Sequence, residues 1–150
     1  MGWFMNTGWN PFGHIGIGIG NNPFVGLNPA SDMQFLGSLT GHLFGCVGRA
    51  GCNALANTTV PGVISPENPN QSPLQNISIP ITGMQANMIQ SAINGSTVYP
   101  PNYSVMGPQP ACDCGTWAQQ MMLAGGLQSG APAPVPAYLI EQLNQIYNPW

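Results

Sequence analysis

Between residues 12 and 20 the chain reads Phe-Gly-His-Ile-Gly-Ile-Gly-Ile-Gly, with isoleucine and glycine alternating at a period of two. That period belongs to a β-strand, and glycine at every second position disfavours a helix. The pattern predicts a strand over 12–19 with one apolar face and one face of bare backbone. Bare backbone lets another segment, or a substrate, come close. His14 has the parity of the glycines and so belongs to the bare face. Asn21, Asn22 and Pro23 mark a turn, and a second short strand is expected over 24–27.

The second constraining feature is the run Asp113-Cys114-Gly115-Thr116-Trp117-Ala118 and its continuation to Gly125-Gly126. Asp113 is a good N-cap, because its carboxylate can accept an orphan backbone N–H. Trp117, Met121 and Ala124 follow at helical spacing, and the glycine pair supplies the stop. Cys114 therefore falls on the first turn of a helix. A thiol there faces the positive end of the macrodipole, which favours thiolate, the nucleophile of cysteine hydrolases.

Such a nucleophile needs a base, and the chain has only two histidines, His14 and His42. His42 falls in the last turn of an expected helix, where dipole complementarity explains it. His14 is the candidate base. A third group should orient the imidazole. The expected source is the segment just after the His14 strand, with Asn28 the chosen residue and Asp32 the fallback. The competing roles are a turn residue for Asn28 and a helix cap for Asp32. The backbone N–H of Cys114 is the expected oxyanion donor, with Gln109 a weaker second.

The remaining pattern alternates strands and helices. Ser31 or Asp32 caps an expected helix carrying Met33, Phe35, Leu36, Leu39 and Leu43, and a loop with Cys46 and Cys52 follows. A strand is expected over 62–65, a polar, proline-rich loop over 65–73, and another strand over 76–81, where Ile77, Ile79 and Ile81 share a face. Thr82 caps a helix with Met84, Met88, Ile89 and Ile93, expected to end at Asn94-Gly95. Residues 103–105 read as a short edge strand. A proline-laden linker over 130–136 leads to a last helix with Tyr138, Leu139, Leu143 and Ile146. This mixture indicates the α+β class.

At 150 residues the chain is the size of one domain. Charged residues make up 3% of it, with Arg49 the single cation besides histidine. Phosphate neutralisation needs lysine and arginine, so nucleic-acid binding is not expected. No apolar run reaches transmembrane length. Residues 1–9 lack the basic start and continuous apolar core of a signal peptide. The Cys46/Cys52 and Cys112/Cys114 spacings are not those of zinc sites, and the Ile-Gly run leads into a turn rather than a helix, unlike a dinucleotide fingerprint. No metal and no cofactor is expected. Cys112 reads as structural or as a disulfide partner, and a Cys46–Cys52 disulfide is feasible.

Taken together, Gly-His-Ile-Gly-Ile-Gly early, Pro61-Gly62-Val63 in the middle, the stretch from Pro100 to Val105, and Asp-Cys-Gly-Thr-Trp opening a late helix resemble a circularly permuted papain-like domain. The chain is similar to the cysteine hydrolase toxin domains at the C-termini of Rhs-type polymorphic toxins, in a clan that includes NlpC/P60 enzymes. The permutation lies in the order, with the histidine strand before the cysteine helix. Where these families often carry Asn before the cysteine and Phe three after it, this chain has Asp113 and Trp117.

The resemblance implies a small antiparallel sheet packed against helices and a Cys114–His14–Asn28 site. It also implies a single toxin domain at the C-terminal end of a longer protein, secreted and delivered into a target cell. The implied partners are a cognate immunity protein and a protein or peptidoglycan substrate. The immunity protein is expected to bind by shape and apolar contact, with Trp3, Phe4, Trp9 and Trp150 as candidate anchors. Three alternatives stay open: a peptidoglycan amidase or endopeptidase; an acyltransferase, transglutaminase or deamidase on the same dyad; and a non-catalytic binding module.

Overall fold

A computed structural model describes residues 2–5, 14–30, 59–67, 75–104, 113–132 and 136–149. The expected helix after Asp32, together with His42, Cys46, Cys52, Gln109, Cys112, Trp9 and Trp150, lies outside the described residues.

The fold is α+β. Five strands, β1 (Gly2–Met5), β2 (His14–Ile17), β3 (Val25–Pro29), β4 (Gly62–Pro66) and β5 (Gln75–Ile77), form one sheet in the order β4-β3-β2-β1-β5. Every pairing in it is antiparallel. Three helices are described, α1 (Gly83–Val98), α2 (Cys114–Ala124) and α3 (Pro136–Tyr147), all late in the chain.

The Ile-Gly alternation forms β2 as its period requires, and Ile15 and Ile17 are buried in the core with Leu27 and Ile64 from the neighbouring strands. Helix α2 packs on β2 and β3, so the apolar face of the sheet is closed by the cysteine helix. Trp117 is fully buried there, with Ala118, Met121 and Met122 beside it. Helix α1 packs on α2 and β4, and α3 packs on β1, β5 and α2. From α3, Leu139, Ile140 and Leu143 complete the core. Burying side chains of this size contributes about 1.5–3 kcal/mol each.

Three differences from the sequence expectation have simple causes. Strand β5 stops at Ile77, although Ile79 remains buried and Ile81 is partly buried against the core. Pro80 has no N–H to give a ladder, so the alternation continues without pairing. Helix α1 runs through Asn94-Gly95 to Val98 instead of stopping there. The capping box of Thr82 and Gln85 at its start fixes the helix, and one exposed glycine costs only about 1 kcal/mol. Tyr103 makes a single bridge with Val60 rather than a strand. Strand β1 was not expected at all, and it places Trp3 and Phe4 in an interior strand of the sheet, paired to both β2 and β5.

Candidate active site

Helix α2 begins where the sequence put it. Asp113 is the N-cap: its Oδ1 accepts the Thr116 amide at 2.8 Å and the Thr116 hydroxyl at 2.9 Å. The Asp113 amide in turn donates to Thr116 Oγ1 at 3.1 Å, which completes a capping box. Among the described residues, the hydrogen bonds of this cap do not engage the N–H of Cys114. The far end closes with the Gly126 amide on Leu123 O and the Leu127 amide on Met122 O, Gly126 supplying a φ of 74°. Cys114 is thus held on the first turn of a helix capped at both ends.

Strand β2 presents His14 at its first position, close enough to Cys114 for the two side chains to interact and for Cys114 to help hold the ring's proton. Residues 100 positions apart in the chain are brought together because α2 lies across β2 and β3. Cys114 is 2% exposed and His14 6%.

On the other side of the ring, His14 Nε2 lies 2.5 Å from Oε1 of Glu67, whose side chain is 7% exposed. With Nε2 engaged by Glu67, Nδ1 is the nitrogen left for the thiol. Burial opposes a charge on His14, but its interactions with Cys114 and Glu67 outweigh it. The histidine pKa is raised from 6.5 to about 10. His14 is therefore an imidazolium at neutral pH, set between Cys114 and Glu67. Asp113 moves the same way for another reason. Burial pushes its carboxyl up to about 6, against the Thr116 and Gly115 hydrogen bonds that favour its charge.

The residue that orients the histidine is not the expected one. Asn28 points its amide to Ser65 Oγ at 2.9 Å and to Gly26 O at 3.3 Å, and so braces β3 against β4. The ring nitrogen assigned to Asn28 is held by Glu67 instead. Asp32, the fallback, lies outside the described residues, as does Gln109. Glu67 sits just past β4, in the stretch read from sequence as a polar loop. Its amide donates to Phe24 O at 2.8 Å, which extends the β3–β4 pairing by one residue and directs the side chain back over the sheet. A signal was available, since the whole chain has only four carboxylate side chains. An acid that rare, one residue beyond a strand, was worth testing as the partner of His14.

The bare face of β2 is where His14 and Glu67 meet. The position of a Cβ on Gly16 or Gly26 falls against Glu67, so the glycines admit this carboxylate. Among the described residues, no three His, Cys, Asp or Glu side chains gather as metal ligands, and no helix is long and apolar enough to cross a membrane.

A cysteine on the first turn of a helix, an imidazolium close to it, a carboxylate on a ring nitrogen and a helix N-terminal N–H make up a set that can form and break an acyl–sulfur bond. Comparison of the chain with family models, with curated proteins and with solved structures finds no match.

Proposed function

We propose that this domain is a papain-like thiol hydrolase that cleaves an amide bond through Cys114, His14 and Glu67. The observation that carries the reading is the Cys114–His14 contact, with Glu67 at the opposite ring nitrogen. Cys114 attacks the carbonyl carbon as thiolate. The oxyanion forms beside the Cys114 N–H at the start of α2. His14 then gives its proton to the leaving amine, and the acyl group stays on sulfur. A water that gives its proton to His14 attacks the thioester, and the acid product leaves with the thiolate restored beside the imidazolium. Glu67 keeps the ring oriented and stabilises its charge.

A binding module gains nothing from this arrangement. Two buried ionisable groups held against a buried thiol carry a desolvation cost, and such costs are concentrated at sites of chemistry.

The resemblance of the histidine strand and of Asp-Cys-Gly-Thr-Trp to permuted papain-like toxin domains supports the biological half of the reading. This would be a secreted antibacterial effector domain, neutralised by a cognate immunity protein, with a protein of the target cell as substrate. One observation favours a second reading, acyl transfer to an acceptor other than water. Cys114 is 2% exposed, and a site that excludes water suits a transferase.

The test is expression of the domain in the bacterial cytoplasm or exported to the periplasm, with Cys114→Ala and His14→Ala alongside. Growth arrest in the cytoplasm, lost in both variants, supports a peptidase. Lysis confined to the periplasmic form, lost in the same variants, moves the substrate to peptidoglycan. Toxicity that survives Cys114→Ala overturns the hydrolase reading.

A further inference from the structure

We propose that Gly16 and Gly26 are positioning residues of this site, forming a two-glycine seat that holds the Glu67 carboxylate against His14. The proposal deepens the Cys114–His14–Glu67 reading and rests on it. Antiparallel pairing of Ile17 with Val25, continued by one step, sets Gly16 on β2 opposite Gly26 on β3. A methyl on Gly16 would lie 2.8 Å from Glu67 Cγ and 3.0 Å from its Oε1, with Glu67 Cδ next at 3.2 Å. A methyl on Gly26 would collide with Glu67 Oε1 and stand 3.0 Å from His14 Nε2 and from Ile15 O. Both missing side chains are therefore replaced by one carboxylate arm.

Backbone conformation does not explain these glycines. The described glycines with positive φ are Gly20, Gly126 and Gly130, and neither Gly16 nor Gly26 is among them. Glycine inside a strand weakens it, and its usual reason for being there is the close approach of something else. Here that something is Glu67. Gly18, next on the same face of the chain, makes the contrast. A methyl there would meet Asn22 O and the Phe24 ring first, each at 3.3 Å, and not Glu67.

The seat acts through geometry. Glu67 reaches His14 from the end of β4 across β3, and it can lie low over the sheet only where no Cβ intervenes. Pushed off, the carboxylate swings toward solvent and the ring loses both its orientation and its countercharge. The other titratable group in contact with His14 among the described residues is Cys114, which the two glycines do not touch.

The experiment is an NMR titration of the histidine ring signals in the whole chain, with His14 identified by comparison with His42→Ala. The wild type, Gly16→Ala, Gly26→Ala, Gly18→Ala, Glu67→Gln and Gly16→Ala/Glu67→Gln are compared. Gly16→Ala is the decisive variant, because the three atoms nearest its methyl all belong to the flexible Glu67 side chain. It carries the test if Gly26→Ala, which also presses on Ile15 O, fails to fold. Gly16→Ala and Glu67→Gln should each lower the His14 midpoint by about one unit or more, a tenfold loss of proton affinity. The double variant should fall no further than Glu67→Gln, and Gly18→Ala should titrate like the wild type. A wild-type midpoint in Gly16→Ala, or an additive fall in the double variant, overturns the seat. Cys114 reactivity in His14→Ala tests the hydrolase reading separately, so the two can fail independently.

Discussion

Glu67 Oε1 and His14 Nε2 stand 2.5 Å apart across a separation of 53 residues. They meet because β4 lies next to β3 and β3 next to β2, so the residue just past β4 can reach across β3 to β2. A carboxylate in this place does more than an amide would. It fixes the ring by a hydrogen bond, and it also lowers the energy of the charged ring through its own negative charge. That charge is what a histidine must carry to protonate a leaving amine.

Replacing Glu67 should therefore hurt more than replacing Asn28. Glu67→Gln keeps a neutral hydrogen-bonding group and is expected to lower activity about 10- to 100-fold, the range for loss of a group that orients a catalytic ligand. Asn28→Ala removes a brace between β3 and β4 and is expected to cost about 1 kcal/mol of stability with little change in activity per folded molecule. Growth inhibition titrated against expression level, together with thermal melts, separates the two effects. Equal loss of activity in both variants contradicts the assignment.

Stability should fall as the solution becomes alkaline. The folded-state pKa of His14 is raised from 6.5 to about 10, so the folded state binds a proton that the unfolded chain releases. The stabilisation is complete below pH 6.5, declines above it, and is gone once pH passes about 10. Denaturant midpoints at pH 6, 8 and 10 should decrease in that order, and His14→Ala should flatten the decline between pH 6 and 8. A wild-type midpoint constant over this range counts against a charged His14.

Asp113 gives a second, separable pH effect. Its folded-state pKa is raised from 3.8 to about 6 by burial, so its contribution to stability is greatest below 3.8 and is lost as pH rises through about 6. Above that pH an ionised, buried cap works against the fold. Asp113→Asn keeps an acceptor for the Thr116 amide and removes the charge. It should be as stable as the wild type or more so at pH 7, and less pH-dependent between 4 and 6. Asp113→Ala, which loses the cap, should be less stable than Asp113→Asn by about 1 kcal/mol. A less stable Asp113→Asn at pH 7 would show that the cap needs its charge.

Local features were legible in the sequence wherever they depend on residues close together. The period of two in β2, the Asp113 cap, the glycine stop of α2 and the Thr82 start of α1 each carry their physics within a few positions. The proposed pairing of His14 with Cys114 rests on local cues of the same kind. What could not be read was long-range register. Nothing local to Glu67 says that it will extend the β3–β4 pairing and turn over Gly26. A search confined to residues near His14 in the chain led to Asn28, whose amide is used up by Ser65 and Gly26. Strand β1 escaped for a related reason: a short segment rich in aromatic residues gains its strand identity from β2 and β5 on either side.

The central claim is that His14 and Glu67 activate Cys114, and alkylation of that one thiol tests it without knowledge of the substrate. The wild type, His14→Ala and Glu67→Gln are treated with iodoacetamide at pH 7, and labelling of Cys114 is followed by peptide mass spectrometry. Melts confirm that all three are folded. With Cys114 2% exposed, each protein must open to react, and variants of similar stability share that step. The account predicts labelling at least about tenfold slower in His14→Ala than in the wild type, with Glu67→Gln between them. Equal rates in the three proteins would make Cys114 an ordinary core cysteine and contradict the account.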